Sequence, residues 1–223
     1  MSNVAIVIPA HNEADNICEV VTAVKVFTGG QVIVVDDGST DETAREAHEA
    51  GADVIVNPQS QGIGRSIKRG IDFALCDVEV KHVITMDAGG SHRAVDAYNI
   101  WLLALATGVN LVMGCRRRHA DNTASRRRRL LSWVARQVYS YKLGHTLVDP
   151  SSGLRCYDAN AARALLHIAL PEHPVLHEWQ YMSLHTMLTY GCTYLEAPIT
   201  YERGSGSSLR LRTIWRALRE VMR

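Results

Sequence analysis

The sequence predicts an α/β fold with a mostly parallel central sheet flanked by helices. Three observations predict it. Short apolar runs rich in β-branched residues recur in the first half: Val4-Ala5-Ile6-Val7-Ile8, Val32-Ile33-Val34-Val35 and Val83-Ile84-Thr85. Continuous runs of this kind mark strands buried on both faces. Segments of helical periodicity separate them, and strand–helix alternation implies right-handed βαβ units. The runs also end in acid-bearing turns: Pro9-Ala10-His11-Asn12-Glu13, Asp36-Asp37-Gly38-Ser39-Thr40-Asp41 and Asp87-Ala88-Gly89-Gly90-Ser91-His92. Open α/β sheets bind ligands at the carboxyl ends of their strands.

In chain order, strands are expected over 4–8, 31–35, 53–57, 82–86 and 110–115. Helices are expected over 15–26, 41–50, 62–75 and about 94–106. Ser39 to Asp41 supply cap candidates for the second helix. Ile63, Ile67, Ile71 and Leu75 give the third its four-residue spacing. The second half is less regular. Leu130, Val134, Val138 and Tyr141 define an amphipathic helix, and Trp133 and Val134 read more readily as core than as lipid anchors. Residues 159–167 and 178–189 look helical. Residues 193–197 and 199–201 look extended, broken by Pro198. The tail pairs an apolar face with a stripe of Arg212, Arg216, Arg219 and Arg223.

At 223 residues the chain can bury a substantial core as a single domain, 1–223. The net charge of +1 hides an asymmetry. Residues 1–115 carry 7 Lys/Arg against 15 Asp/Glu, and residues 116–223 carry 17 against 8. An acidic half and a basic half imply two jobs, the second fitted to phosphates or an anionic surface. No apolar run approaches the roughly 20 residues a membrane span needs. The start lacks a basic n-region, so no signal peptide is expected. Five scattered cysteines without a CxxC pair point to a reducing compartment and to neither zinc nor disulfides. These features lead us to expect a cytoplasmic protein, peripheral on the cytoplasmic face of a membrane. Nucleic acid is not expected as a partner, since no recognised module accompanies the arginines.

The ordered motifs resemble family 2 glycosyltransferases, and among them the polyprenyl-phosphate mannose synthase group. The resemblance runs from Val4 to Leu209. It rests on the two opening acid turns, on Asn57-Pro58-Gln59-Ser60-Gln61-Gly62-Ile63-Gly64, and on Asp87-Ala88-Gly89-Gly90-Ser91-His92. Asp149-Pro150-Ser151-Ser152-Gly153-Leu154-Arg155 and Glu196-Ala197-Pro198-Ile199 through Arg203 complete it. The glycine segment follows the third strand and has Ile67 where a dinucleotide fingerprint needs glycine, so a dehydrogenase fits poorly.

The resemblance implies a GT-A fold, with a nucleotide-sugar-binding half over 1–115 and an acceptor-binding half over 116–223. It implies that Pro9, His11, Glu13, Asp37 and Ala88 line the nucleotide site. His11 stands where the family often has Tyr. Asp87 and Arg203 would be catalytic, Asp87 facing the diphosphate and Arg203 gripping a phosphate with its bidentate fork. Arg117, Arg129 and Ser132 would meet the acceptor phosphate. Asp149 or Glu178 would act as base or orienter. Asp87 would also hold Mg²⁺ or Mn²⁺, but Gly89 replaces the second acid of the family's Asp-x-Asp. An aspartate restored at 89 is expected to tighten the ion. The implied reaction moves a sugar, mannose favoured, from a nucleotide-sugar such as GDP-mannose to a polyprenyl phosphate with inversion. Transfer to a saccharide or small-molecule hydroxyl is the alternative. A nucleotide-sugar-binding, membrane-associated protein that has lost catalysis is the second.

Overall fold

The computed structural model describes residues 3–116, 144–175 and 178–200, together with Trp133, Gln137, Ser140 and Tyr141. Seven strands form one sheet: β1 (Val4–Ala10), β2 (Gln31–Asp36), β3 (Asp53–Val56), β4 (His82–Thr85), β5 (Leu111–Arg116), β6 (Arg155–Asp158) and β7 (Tyr194–Ile199). Their order is β3-β2-β1-β4-β6-β5-β7. Pairing is parallel throughout except at β6, which runs antiparallel to both β4 and β5. The helices are α1 (Ala14–Thr28), α2 (Thr43–Glu49), α3 (Ile63–Ala74), α4 (Ala94–Thr107), α5 (Ala159–Leu166) and α6 (Glu178–Thr189).

Alternation along the strands explains the continuous apolar runs. Val4, Ile6, Ile8, Val32, Val34 and Ile84 pack on one face of the sheet with Ile17, Val21 and Ile100 from α1 and α4. Ala5, Val7, Ile33, Val35 and Val83 pack on the other with Ile67 and Ile71 from α3, Leu165 from α5 and Leu184 from α6. Successive side chains of a strand point to opposite faces, so a strand covered on both sides must be apolar at every position.

Two expectations for the second half are corrected. Strand β6 lies where only a motif was read. Its four residues, Arg155-Cys156-Tyr157-Asp158, begin and end on charges and give no apolar signal. Pro198 does not break the last strand, which runs unbroken to Ile199. Among the described residues that strand is at the sheet's edge, paired only with β5, and an edge strand tolerates proline because one side of its backbone needs no ladder bond. Trp133 is half exposed and Tyr141 is 91% exposed, so neither is core. The remainder of that amphipathic helix and the arginine stripe of the tail lie outside the described residues. The acidic and basic halves share the one sheet, since β6 from the second half pairs with β4 from the first.

Candidate active site

The turns after β1, β2 and β4 open at the same end of the sheet. β1 is hydrogen-bonded to both β2 and β4, so Asp37 and Asp87 follow strands that β1 separates rather than direct neighbours.

Asp37 is buried, and its carboxylate is fully engaged. Oδ1 accepts from Asn57 Nδ2 at 2.8 Å, from the Gln61 amide at 2.9 Å and from Ser66 Oγ at 2.9 Å. Oδ2 accepts from Ser60 Oγ at 2.8 Å and from the Gly62 amide at 2.9 Å. A carboxylate has about four lone-pair sites, so five donors saturate it. Burial pushes its pKa up, but the donors of Gln61, Asn57, Ser60 and Gly62 outweigh burial and hold it below the ordinary value. Gly62 needs its glycine: it has φ +89°, and a Cβ there would meet the Val175 carbonyl oxygen at 2.7 Å. Asp37 was expected to line the nucleotide site. Its two oxygens are spent on the 57–62 loop and on Ser66.

The β1 turn is tied to the β2 turn. His11 Nδ1 lies 3.0 Å from the Asp37 carbonyl oxygen. A carbonyl only accepts, so Nδ1 carries the proton. Asn12 adopts φ 55° and its Oδ1 accepts from the Thr40 amide at 2.9 Å. The Glu13 amide donates to Thr43 Oγ1 at 2.8 Å, and its Oε2 accepts from Asn16 Nδ2 at 2.9 Å. Pro9 lines the cavity described below, and Ala88 is buried beside Asp87.

Asp87 is held from behind and open in front. Its amide donates to His92 Nδ1 at 3.3 Å, and its Oδ2 lies 3.6 Å from the same nitrogen. Burial lowers the His92 pKa against the pull of Asp87. Behind the carboxylate, a Cβ on Gly153 would sit 2.5 Å from Asp87 Oδ1, so a side chain there would push the carboxylate aside. Thr85 Oγ1 donates to the Gly153 carbonyl at 3.0 Å and fixes that loop. The Asp87 side chain remains 38% exposed.

A cavity of about 10 Å³, room for roughly one water, opens beside Asp87 between Pro9, Thr85, Arg155, Tyr157, Trp179 and Gln180. Arg155 is fully buried, yet its bonds run to neutral acceptors: the Ser152 carbonyl at 3.0 Å, Ser183 Oγ at 2.9 Å and the Pro150 carbonyl at 2.7 Å. Tyr157 OH and Gln180 Oε1 are buried without a partner among the described residues, as is Ser152 Oγ next door. Buried polar atoms are normally satisfied, so this cluster is suited to receiving polar groups of a ligand. Sequence reasoning singled out none of Arg155, Tyr157, Trp179 or Gln180 for this place. Their signal was the position of Arg155 in the Ser-Gly-Leu-Arg segment and of Gln180 in Glu178-Trp179-Gln180.

The other expected residues divide. Asp149 is nearly buried and grips Arg116 through both oxygens, at 2.6 Å to Nε and 2.8 Å to Nη2. Burial raises its pKa, but Arg116 and Ser151 outweigh that and hold it below the ordinary value. Arg116, the last residue of β5, is bonded to this carboxylate and to Ser151 Oγ at 2.6 Å. Glu178 is buried at the first residue of α6. Arg117, Arg129, Ser132 and Arg203 lie outside the described residues.

For a metal, no group of three or more His, Cys, Asp or Glu comes together among the described residues. Asp87, whose side chain stays partly exposed at the strand end, is the carboxylate that would hold an ion completing its shell from a ligand. A Cβ on Gly89 would stand 3.3 and 3.4 Å from the two Glu13 oxygens, so Glu13 already fills that direction. Mg²⁺ typically takes one or two carboxylates plus substrate phosphates.

A sheet of this order with an acid-bearing cleft at its carboxyl edge defines a GT-A glycosyltransferase fold. Glucosyl-3-phosphoglycerate synthase from Mycobacterium tuberculosis, solved with Mn²⁺ and UDP, superposes with a TM-score of 0.71 at 20% identity, over 98% of this chain and 77% of that one. The same enzyme has also been solved with Mg²⁺ and UDP. The model of the family "Glycosyl transferase family 2" matches residues 5–166, and the chain belongs to that family. Glycosyltransferase AglJ of Haloferax volcanii is 29% identical over 69% of this chain, which spans half of AglJ's length. The undecaprenyl-phosphate mannosyltransferase of Micrococcus luteus is 27% identical over 91% of this chain and 85% of its own.

Proposed function

We propose that the chain transfers a sugar, mannose favoured, from a nucleotide-sugar, GDP-mannose favoured, to a polyprenyl phosphate with inversion. The observation that carries this reading is the reach of the likeness to the undecaprenyl-phosphate mannosyltransferase. At 211 aligned residues it runs through the basic second half, the part assigned to the acceptor.

The chemistry agrees. A phosphate monoester has a second pKa of ~6, so the nucleophile is ionised near neutral pH and needs no base. A hydroxyl acceptor needs one, for which Asp149, bound to Arg116, and Glu178, buried at the start of α6, are the candidates. The acceptor oxygen attacks the anomeric carbon as its bond to the diphosphate breaks, and that electron pair leaves with the nucleoside diphosphate. The protein supplies positioning and charge stabilisation. Pro9, His11 and Ala88 border the nucleotide, and the loop held by Asp37 shapes its bed. Asp87 faces the diphosphate and would hold a divalent cation, which neutralises phosphate charge when bound. The cavity of Tyr157, Gln180 and Arg155 admits one water-sized polar group of the donor. Arg203 is assigned to the diphosphate, and Arg117, Arg129 and Ser132 to the acceptor phosphate. Among the described residues no helix is long and apolar enough to cross a membrane. Peripheral attachment through Arg126–Arg129 to an anionic cytoplasmic leaflet fits the reading, at on the order of 1 kcal/mol per basic residue.

The test is transfer from labelled GDP-mannose, and from UDP-glucose, to undecaprenyl phosphate in anionic vesicles and to 3-phosphoglycerate in solution. A lipid-linked product supports the proposal. Product on 3-phosphoglycerate alone moves the acceptor to a small phosphate ester, and no transfer from either donor removes catalysis. Replacing Arg126–Arg129 with Gln should lower vesicle binding and lipid transfer while nucleotide affinity is kept.

A further inference from the structure

We infer that His92 is the positioning residue of Asp87: its Nδ1 accepts from the Asp87 amide, and the ring thereby holds the backbone of that acid without engaging its carboxylate. The inference rests on the reading of Asp87 as the acid that faces the diphosphate, and it names the group that keeps Asp87 in place.

Strand β4 ends at Thr85. The Met86 amide still donates to the Val7 carbonyl of β1 at 3.2 Å. The Asp87 amide, one residue on, donates instead to His92 Nδ1 at 3.3 Å. The chain comes back to that amide through Ala88-Gly89-Gly90-Ser91, with Gly90 at φ +70°. That left-handed conformation suits glycine, so Gly90 serves the turn that returns the ring to the strand end. The two side chains differ sharply in exposure, 1% for His92 and 38% for Asp87.

The bond fixes the tautomer. A backbone N–H only donates, and its hydrogen has a set direction. Nδ1 must therefore present its lone pair, and the proton of a neutral ring sits on Nε2. Burial, with Arg116 acting in the same sense, outweighs the pull of Asp87, Asp149 and Asp96 and holds the His92 pKa below its ordinary value. The ring is therefore neutral at neutral pH. Asp87 Oδ2 stands 3.6 Å from the same nitrogen, which has no proton to give it. The other tautomer would put a donor there and draw the carboxylate inward. The tautomer present leaves it outward for its ligand.

Two measurements test this. Long-range proton–nitrogen NMR correlation of the histidine rings in the wild-type protein at neutral pH reads the His92 tautomer directly. Nε2 should be protonated and Nδ1 bare. A proton on Nδ1, in the other tautomer or in an imidazolium, overturns the inference, and this result does not depend on any variant folding. Sugar-transfer kinetics then compare three proteins. His92→Leu, which fills space but accepts nothing, should lose roughly ten- to a hundredfold in kcat with donor KM within about threefold of wild type. His92→Asn, whose amide oxygen can stand near the place of Nδ1, should keep several-fold more of kcat than His92→Leu. Equal losses in the two variants would assign the ring to packing alone and overturn the positioning role, as would an undiminished kcat in His92→Leu; either leaves the functional reading standing. Wild-type protein that transfers from neither donor overturns that reading and the positioning role with it.

Discussion

Asp37 and Asp87 each follow an apolar strand at the carboxyl edge of one sheet, and their surroundings differ. Five donors converge on Asp37. Asp87 has a fixed backbone, a glycine behind it and open space in front. Beside it are buried polar atoms without partners among the described residues, and an arginine bonded to neutral groups. The first region spends its polar groups on holding a loop. The second leaves them for a ligand. The same pattern in sequence therefore gives a carboxylate that is fully bonded in one place and partly exposed in the other.

The widest separation should appear on truncation of the two acids. Asp87→Ala is expected to cut sugar transfer by about 10²–10³-fold, with stability within about 1 kcal/mol of wild type. Steady-state rates and urea unfolding measure both. Full activity in that variant would remove Asp87 from the chemistry.

Asp37→Ala should instead unfold more easily, by roughly 3 kcal/mol, because it strands several buried donors at once. Nucleotide affinity should fall with it as the 57–62 loop loosens. The pH dependence follows from the lowered Asp37 pKa. A depressed carboxylate contributes stability that is full above its unfolded value, about 3.9, and is lost as pH falls through the folded value. Acid titrations of wild type and Asp37→Asn should therefore diverge at neutral pH and converge in acid. Parallel curves would break the comparison on the Asp37 side.

Gly153→Ala tests the glycine behind Asp87. Its methyl group must displace the carboxylate 2.5 Å away, and misplacement of a reacting group by about 1 Å can cost on the order of a hundredfold. A fall in turnover of roughly ten- to a hundredfold is expected, exceeding any change in melting temperature.

The smallest effects form a matched pair of hydroxyl deletions. Ser66→Ala removes a donor to Asp37 and should cost about 1 kcal/mol. Tyr157→Phe removes a hydroxyl without a partner among the described residues and should stay within about 0.5 kcal/mol. Donor-sugar affinity should move the opposite way, weakened in Tyr157→Phe and kept in Ser66→Ala. Equal costs in the two variants would erase the distinction.

Much of the fold was legible because burial on both faces writes itself into consecutive residues. β1, β2 and β4 were found for that reason, and the acids after them marked the correct edge of the sheet. β6 was not legible. It borrows its place from β4 and β5, which pair with it on either side, so its residues need no apolar run of their own. Pro198 misled because a local breaker is judged without knowing whether its strand has one neighbour or two.

The sequence by itself determined the class of fold, its family resemblance and the acids at the strand ends, since periodicity and turn chemistry are local properties. Only the tertiary structure decided what each acid does. Asp37 faces donors 20 to 29 residues away, Asp149 faces Arg116 across 33, and Glu13 stands over Gly89 from the turn after β1. A carboxylate's role depends on which donors, cations and gaps reach it, and those arrive only when distant segments are packed together.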